Sequence, residues 1–256
     1  MLGVDDLVNN VVKTLQATGQ LDNTYIVFSS DNGFHLGQHR LPTGKQTAYE
    51  TDIKVPLVIR GPGVPAGQTR AEIASNIDLA PTFAVWAGVK VPGEVDGRSL
   101  TPLLAATPPA DWRKATLIEH MNSATGKDDP DSENASINDT TTPTVSATTA
   151  PVATSTKAGK KKAKKAGKGG GGVPLYSAMR TDSYVYVDYR DGAHELYDLN
   201  TDPQELNNLA GNASPALITQ LSARLAELSK CAGATCRTAE NAPVPGISSA
   251  LKASAT

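Results

Sequence analysis

Ser30-Asp31-Asn32-Gly33 is the group of residues in this sequence that most suggests chemistry. It follows directly after the apolar run Tyr25-Ile26-Val27-Phe28, whose β-branched and aromatic residues predict a buried strand. Open α/β sheets place their sites at the carboxyl ends of such strands. A carboxylate and an amide oxygen there suit a hard cation such as Ca²⁺ or Mg²⁺, although an isolated Asp-Asn-Gly is more often a simple turn. Asp31 and Asn32 are therefore candidate metal ligands. Whether they form a metal site or a simple turn must be judged from the motifs that follow in the sequence.

The segment from Asn23 to His39 resembles the second metal-binding segment of the sulfatase family, and in particular N-acetylglucosamine-6-sulfatases and their bacterial relatives. Further family-like motifs follow in the same order along the chain: Gly44-Lys45, Tyr49-Glu50, Ile53-Lys54-Val55-Pro56-Leu57, Arg60-Gly61-Pro62-Gly63, Asp78-Leu79-Ala80-Pro81-Thr82 and Asp96-Gly97-Arg98-Ser99-Leu100. The stretch Leu196-Tyr197-Asp198-Leu199, continuing to Leu209, resembles the segment that closes the C-terminal subdomain of sulfatases. The chain thus looks like the C-terminal portion of a sulfatase.

This resemblance implies an α/β fold, namely part of an alkaline-phosphatase-like sandwich with a small C-terminal antiparallel sheet plus helix. It also implies hydrolysis of a sulfuric ester, on a sulfated carbohydrate or an aryl sulfate, with Ca²⁺ and a formylglycine nucleophile. Residue by residue, it assigns Asp31 and Asn32 as metal ligands and Lys45 as the lysine that contacts the sulfate. His35 is a candidate catalytic residue and His39 a candidate substrate-binding residue, with packing or local hydrogen bonding as the alternative for both.

The sequence lacks the C-x-P-S-R-type signature whose Cys or Ser becomes formylglycine in the N-terminal half of sulfatases. That half also supplies a further pair of Asp metal ligands, so we expect the Ca²⁺ ligands to be only partly present here. A separate N-terminal half would have to supply the nucleophile, and we expect the isolated chain to be inactive. The alternatives are a non-catalytic remnant or polyanion-binding fragment, and a phosphatase or phosphodiesterase of the same superfamily, in which two zinc ions and Asp-His pairs are usual.

Cys231 and Cys236 are the two cysteines of the sequence. The resemblance implies a disulfide between them, whereas the residues alone leave open two free thiols. A disulfide fits export from the cytosol, and hence an extracellular, periplasmic or cell-envelope location if the full-length protein is exported. No signal peptide is visible, because Met1-Leu2-Gly3 lacks a basic region and enters a helical pattern at once.

Hydrophobic spacing predicts the elements that must position these residues. A first helix, with Gly19 as its stop, has one apolar face formed by Val4, Leu7, Val8, Val11, Val12 and Leu15. We expect two central strands and then a helix that Asp78 caps: Thr24–Ser29, Val55–Arg60 and about Ile77 to Ala87. These elements make a thin core, which predicts marginal stability unless further chain completes it.

Composition divides the chain into four parts: residues 1–121 as part of the catalytic α/β domain, 122–172 as a disordered Lys/Gly-rich insert, 173–237 as the C-terminal subdomain and 238–256 as a disordered tail. The insert is either a polybasic tether or a solvated low-complexity loop. In the subdomain we predict three strands and a helix: Tyr176–Arg180, Tyr184–Tyr189, Glu195–Leu199 and Pro215–Ser229. A net charge of −2 predicts no specific nucleic-acid partner, and the sequence has no apolar run long enough for a transmembrane segment.

Overall fold

The computed structural model describes residues 2–121 and 173–247. Within them lie five α-helices: α1 (Leu2–Ala17), α2 (Glu50–Ile53), α3 (Leu79–Trp86), α4 (Pro215–Lys230) and α5 (Ala234–Asn241). The strands are β1 (Ile26–Ser29), β2 (Leu57–Arg60), β3 (Ala115–His120), β4 (Tyr176–Thr181), β5 (Tyr184–Tyr189) and β6 (His194–Asp198). Short 3-10 turns occur at Leu21–Asn23, Gln38–Arg40, Asn76–Asp78, Thr101–Leu104 and Ala210–Asn212. The predicted insert 122–172 and residues 248–256 of the predicted tail lie outside the described residues.

β1 and β2 form a two-stranded antiparallel sheet, with Phe28 opposite Val58. Both strands are two residues shorter than predicted, and β2 is largely exposed, with Val58 60% exposed. The 16-residue helix α1 forms where its apolar spacing predicts, but none of its residues is buried. Among the described residues, the apolar faces of α1 and β2 therefore lack the cover that their sequence patterns lead one to expect.

β3 to β6 form a second sheet, antiparallel throughout, in the order β3-β4-β5-β6. The three strands predicted for the C-terminal subdomain are present within one residue of their expected bounds, and α4 ends at Lys230, one residue later than expected. Strand β3 was not predicted from the sequence. It lies before residue 121 and pairs with β4 along its whole length, from Ala115 opposite Thr181 to His120 opposite Tyr176. Residues on both sides of the insert thus build one sheet.

The main core lies between this sheet and α4. Met179, Tyr184, Tyr186 and Leu196 alternate onto one face of the sheet, where they pack against the leucine row Leu217, Leu221, Leu225 and Leu228. Ser214 caps α4 by accepting a hydrogen bond from the amide of Leu217. The opposite face of the sheet bears Tyr176, Arg180 and Tyr197, and this face contacts the chain around α2. A smaller cluster of Leu100, Leu103 and Trp112 supports β2 and α3.

The prediction that residues 238–256 form a disordered tail is wrong for 238–247. Helix α5 extends to Asn241, and Ile247 is buried in the main core. Glu240 holds this segment in place because its carboxylate pairs with the buried guanidinium groups of Arg98, at 2.5 Å, and Arg113, at 2.9 Å. These partners lie more than 120 residues away along the chain, so no local sequence pattern could indicate them.

Asp78 does not use its carboxylate to cap α3 as predicted. Its oxygens accept hydrogen bonds from the amides of Ser75 and Arg98 and from the guanidinium of Arg113, whose side chain is fully buried beside it. Burial of two opposite charges is tolerable here because nearly every lone pair and proton has a partner. Separately, no helix within the described residues is long and apolar enough to cross a membrane.

Candidate active site

The loop that follows β1 presents the Asp31 side chain to solvent. Asn76 donates its side-chain amide to the backbone carbonyls of Ser30, at 3.0 Å, and Asp31, at 2.9 Å. The Ser30 hydroxyl donates to the carbonyl of Asn32 at 2.8 Å and lies 3.3 Å from an Asp31 carboxylate oxygen. These contacts fix the loop backbone and leave the Asp31 carboxylate exposed, as an incoming cation requires.

Gly33 closes the tetrad because the chain passes too near for any side chain. Its amide donates to the carbonyl of Asp52 at 2.8 Å, and a Cβ at this position would lie 2.0 Å from the backbone oxygen of Thr51. The loop after β1 is therefore held against the backbone carbonyls of α2. The sequence signal for a glycine turn is correct here, but the physical reason is a close backbone approach.

Lys45, which the family resemblance singles out, lies beside the tetrad. Its Nζ donates to Asn32 Oδ1 at 3.3 Å, and Asn32 donates its own amide to the carbonyl of Gly33 at 2.7 Å. Hydrogen bonds from the backbone amides of Asn32 and Asp31, then the Ser30 hydroxyl and the charge of Lys45, lower the pKa of the Asp31 carboxyl. The structure thus brings three of the predicted site residues together as an ionised carboxylate, an amide oxygen and an ammonium.

His35 is buried away from this cluster. Its exposed fraction is 3%, and its Nδ1 lies 2.9 and 3.0 Å from the two carboxylate oxygens of Asp52. Asp52 also accepts hydrogen bonds from the amide and the hydroxyl of Thr47, at 2.9 and 2.6 Å. This environment matches local hydrogen bonding, the alternative role predicted for His35 from the sequence.

His39 lies on the same loop, with its ring stacked on Tyr49 at a centroid separation of 3.8 Å. Burial of the ring, with a smaller contribution from His35, lowers the pKa of His39, so a neutral imidazole is favoured. Tyr49 in turn contacts Tyr197 of β6, at a centroid distance of 5.9 Å. The loop that bears His39 is therefore joined through Tyr49 to the C-terminal sheet.

Asp31 and Asn32 offer hard oxygen ligands of the kind that Ca²⁺ prefers, and the lowered pKa of Asp31 keeps its carboxylate charged. Calcium takes six to eight oxygen ligands, however, and no group of three or more His, Cys, Asp or Glu side chains in residues 2–121 and 173–247 could hold a metal. The two residues fit the ion as part of a ligand set.

Several residues that support the site from distant parts of the chain were not predicted from the sequence. Asp52 joins His35 to Thr47, Glu205 accepts a hydrogen bond from the amide of Glu50 at 2.8 Å, and Tyr176 donates to the carbonyl of Gln46 at 3.0 Å. The last two contacts span 155 and 130 residues. The one sequence signal near these contacts is the family-like motif Tyr49-Glu50, which includes the residue that Glu205 contacts.

Cys231 and Cys236 form a disulfide, with a Cα–Cα distance of 4.8 Å. The bridge encloses the turn that leads from α4 into α5. Near its centre, the amide of Gly233 donates to Asp96 Oδ1 at 2.5 Å, so the bridged turn is bound to the loop that precedes Arg98. The pairing that the family resemblance implies is therefore the one that the structure contains.

Comparison with known proteins shows which family this chain resembles. The sulfatase family model matches residues 1–89. Over 239 residues, 93% of this chain, the sequence is 37% identical to human N-acetylglucosamine-6-sulfatase. The chain spans 41% of the length of that relative.

Solved structures show the same fold. A protein solved in complex with its substrate D-glucosamine-2-N,6-O-disulfate superposes with a TM-score of 0.67 at 30% identity, over 90% of this chain and 38% of its own. A phosphonate monoester hydrolase of Agrobacterium radiobacter gives a TM-score of 0.63 at 27% identity, over 88% of this chain and 39% of its own. The predicted fold class, a partial alkaline-phosphatase-like α/β sandwich with a small antiparallel sheet and helix, is confirmed. This chain carries a sulfatase-family domain over residues 1–89 and is similar to a C-terminal portion of N-acetylglucosamine-6-sulfatases.

Proposed function

We propose that this chain provides the metal-binding and sulfate-binding residues of a sulfuric ester hydrolase that acts on sulfated sugars. The observation that carries the proposal is the cluster at the end of β1, where Lys45 Nζ lies 3.3 Å from Asn32 Oδ1 beside the exposed Asp31 carboxylate. The similarity to human N-acetylglucosamine-6-sulfatase and to the protein solved with D-glucosamine-2-N,6-O-disulfate supports a sulfated glucosamine as the substrate class. Aryl sulfates remain the second substrate class to test.

Each residue of the cluster has a role that its chemistry supports. Asp31 and Asn32 would hold Ca²⁺ through oxygen atoms, and the bound cation would supply positive charge to the sulfate oxygens. Lys45 would contact the sulfate, because a compact ammonium suits negative charge that is spread over several oxygens. His35 would support the loop through its buried hydrogen bonds with Asp52 and would not contact the substrate. His39 is proposed to face the sugar from its position on Tyr49.

The nucleophile is proposed to come from outside the present sequence. Neither Cys231 nor Cys236 is followed by x-Pro-Ser-Arg, and the structure joins both in a disulfide. A formylglycine would therefore be carried by a preceding half, in the same polypeptide or in a second one. On this proposal the 256-residue chain has no sulfatase turnover by itself. Purified chain that hydrolyses an aryl sulfate faster than its Asp31→Ala variant would contradict that expectation.

A chimera tests the site directly. The portion of human N-acetylglucosamine-6-sulfatase that aligns with this chain is replaced by the chain, and hydrolysis of N-acetylglucosamine 6-sulfate is measured. The proposal predicts that Asp31→Ala and Lys45→Ala abolish turnover of the chimera. Replacement of the exposed Lys90 by Ala is the control and should leave turnover intact. A folded chimera without turnover would favour the non-catalytic remnant or the polyanion-binding fragment instead.

A second candidate function is hydrolysis of a phosphonate or phosphate ester. The similarity to the phosphonate monoester hydrolase of Agrobacterium radiobacter favours it. Against a two-zinc phosphatase stands the Asp31-Asn32 pair, which offers hard oxygens for one cation instead of Asp-His pairs. The same chimera, assayed with a phosphonate monoester, decides: faster hydrolysis of that ester than of the sulfate ester would replace our proposal.

We also propose that the protein works outside the reducing cytosol. The Cys231–Cys236 disulfide supports this location, because such bridges persist in oxidising compartments. Thiol labelling of protein taken directly from its source cells would test it. Two blocked cysteines are expected, and two reactive thiols would contradict an exported location.

A further inference from the structure

The segment that carries Lys45 contains three non-glycine residues in the left-handed region of backbone space. These are His39, Arg40 and Gln46, with φ values of 55°, 60° and 84°. Residues with a Cβ adopt such angles at an energetic cost, and they persist where surrounding contacts hold them. Gln46 directly follows Lys45 in the sequence. The φ angle of Gln46 therefore sets how the backbone of Lys45 is oriented relative to the chain that follows, and with it where the lysine side chain points.

The residues on either side of this turn are held by hydrogen bonds. Gly44 exchanges two backbone hydrogen bonds with His35, at 2.9 and 3.0 Å, and so fixes the chain before Lys45. Thr47 donates both its amide and its hydroxyl to Asp52 and fixes the chain after the turn. One further hydrogen bond reaches the backbone of Gln46 itself.

Tyr176 of β4 supplies that contact. Its hydroxyl donates to the backbone carbonyl of Gln46 at 3.0 Å across 130 residues of sequence. The ring is 3% exposed and packs against Tyr189, with centroids 5.9 Å apart, and His120, at 5.8 Å. Burial raises the pKa of Tyr176 far above its usual range, so the phenol keeps the proton that it donates.

We propose that Tyr176 is a positioning residue for Lys45: by holding the carbonyl of Gln46, it keeps the left-handed turn that points the Lys45 ammonium at Asn32. The role of Lys45 toward sulfate rests on the proposed function, whereas the contact between Tyr176 and Gln46 does not. Asp31, Asn32 and Lys45 all lie outside the four-stranded sheet. Through Tyr176, this sheet nevertheless determines the position of the Lys45 side chain.

The test is pulse labelling of lysines with an acylating reagent, read by mass spectrometry as the rate at Lys45 relative to the exposed Lys90. Tyr176→Phe removes only the hydroxyl and should let Lys45 move away from Asn32 more often, which exposes its amine to the reagent. We expect the ratio to rise between about twofold and about tenfold, which corresponds to the net strength of one ordinary hydrogen bond. The matched control is Tyr184→Phe in β5, because the Tyr184 hydroxyl is buried without a hydrogen-bond partner. Its ratio should equal that of the unmodified chain.

Two substitutions at Gln46 separate positioning from a general loss of stability. Glycine adopts positive φ at little cost, so Gln46→Gly should suppress most of the increase that Tyr176→Phe causes. Valine resists positive φ, so Gln46→Val should raise the Lys45 ratio by itself, and it carries the test if Tyr176→Phe does not fold. An unchanged ratio in folded Tyr176→Phe, or in folded Gln46→Val, would overturn the proposal.

Inorganic sulfate distinguishes this inference from the proposed function. Sulfate that slows labelling of Lys45 but not of Lys90 would support the sulfate role of the lysine. If sulfate has no effect while Tyr176→Phe still raises the ratio, the proposed function loses support and the positioning role stands. If sulfate protects Lys45 and Tyr176→Phe leaves the ratio unchanged, the positioning role of Tyr176 is overturned and the proposed function keeps its support.

Discussion

At the scale of single residues, Asp31 and Asn32 define what the chain can do with a metal by itself. Two oxygen ligands fall short of the six to eight that calcium takes, and the neighbouring ammonium of Lys45 opposes a second positive charge. We therefore expect calorimetric titration of the purified chain with Ca²⁺ to show no micromolar site. An affinity in that range that disappears in Asp31→Ala would contradict this, because it would mean that the chain completes the ligand set unaided.

Glu205 is a second residue whose environment has an effect that can be measured, namely on the pH dependence of stability. It is 2% exposed, its backbone is left-handed with φ of 54°, and its Oε1 has no hydrogen-bond partner among the described residues. Burial raises the pKa of Glu205 to about 7. The folded state thus binds this proton more tightly than the unfolded state, so the contribution of Glu205 to stability is complete below about pH 4.5 and is lost as the pH rises to about 7.

Glu205→Gln should remove that dependence. Relative to the unmodified chain, we expect the free energy of unfolding of the variant to gain on the order of 2 kcal/mol between pH 5 and pH 8. Urea denaturation at the two pH values measures it, with the exposed Glu94 replaced by Gln as the control. Parallel pH profiles for Glu205→Gln and the unmodified chain would show that Glu205 does not titrate in this range.

At the scale of elements, the turn between α4 and α5 shows how the disulfide-bridged segment is fixed to the rest of the fold. Gly233 has φ of 55° and ψ of −127°, and a Cβ there would lie 2.4 Å from the backbone oxygen of Gly93. We expect Gly233→Ala to lower the free energy of unfolding by about 1–3 kcal/mol, through strain and displacement of α5. Gly211→Ala is the matched control for urea denaturation, because a Cβ there meets nothing within 4 Å. Equal midpoints for the two variants would contradict the close approach.

The elements also show which features were predictable from sequence. Local patterns gave α1, the end of β1 and the leucine row of α4, because each depends on spacing within a few residues. Family-like motifs identified Lys45, which spacing alone would class as a surface lysine. The pairing of β3 with β4, the carboxylate network around Asp78 and the contact of Tyr176 with Gln46 join distant segments, and no local pattern encodes such pairings.

At the scale of the whole molecule, burial is distributed unevenly. α1 and α4 have 16 residues each, yet α4 buries five side chains and α1 buries none. Leu2 and Leu7 of α1 are 84% and 64% exposed. A helix of this length is marginal in water without tertiary packing, so the two helices should differ greatly in stability within the same chain.

Amide hydrogen exchange of the purified chain tests this difference, with α4 as the internal control for α1. We expect opening free energies below about 2 kcal/mol throughout α1, and values close to the global free energy of unfolding, roughly 5 kcal/mol or more, at the buried leucines of α4. Equal protection of the two helices would mean that α1 packs against a surface, for example in a second copy of the chain, and sedimentation at several concentrations would identify that case. If α1 becomes protected only in the chimera with the human relative, its apolar face is where the rest of a sulfatase domain packs, which connects the stability of this chain to its proposed function.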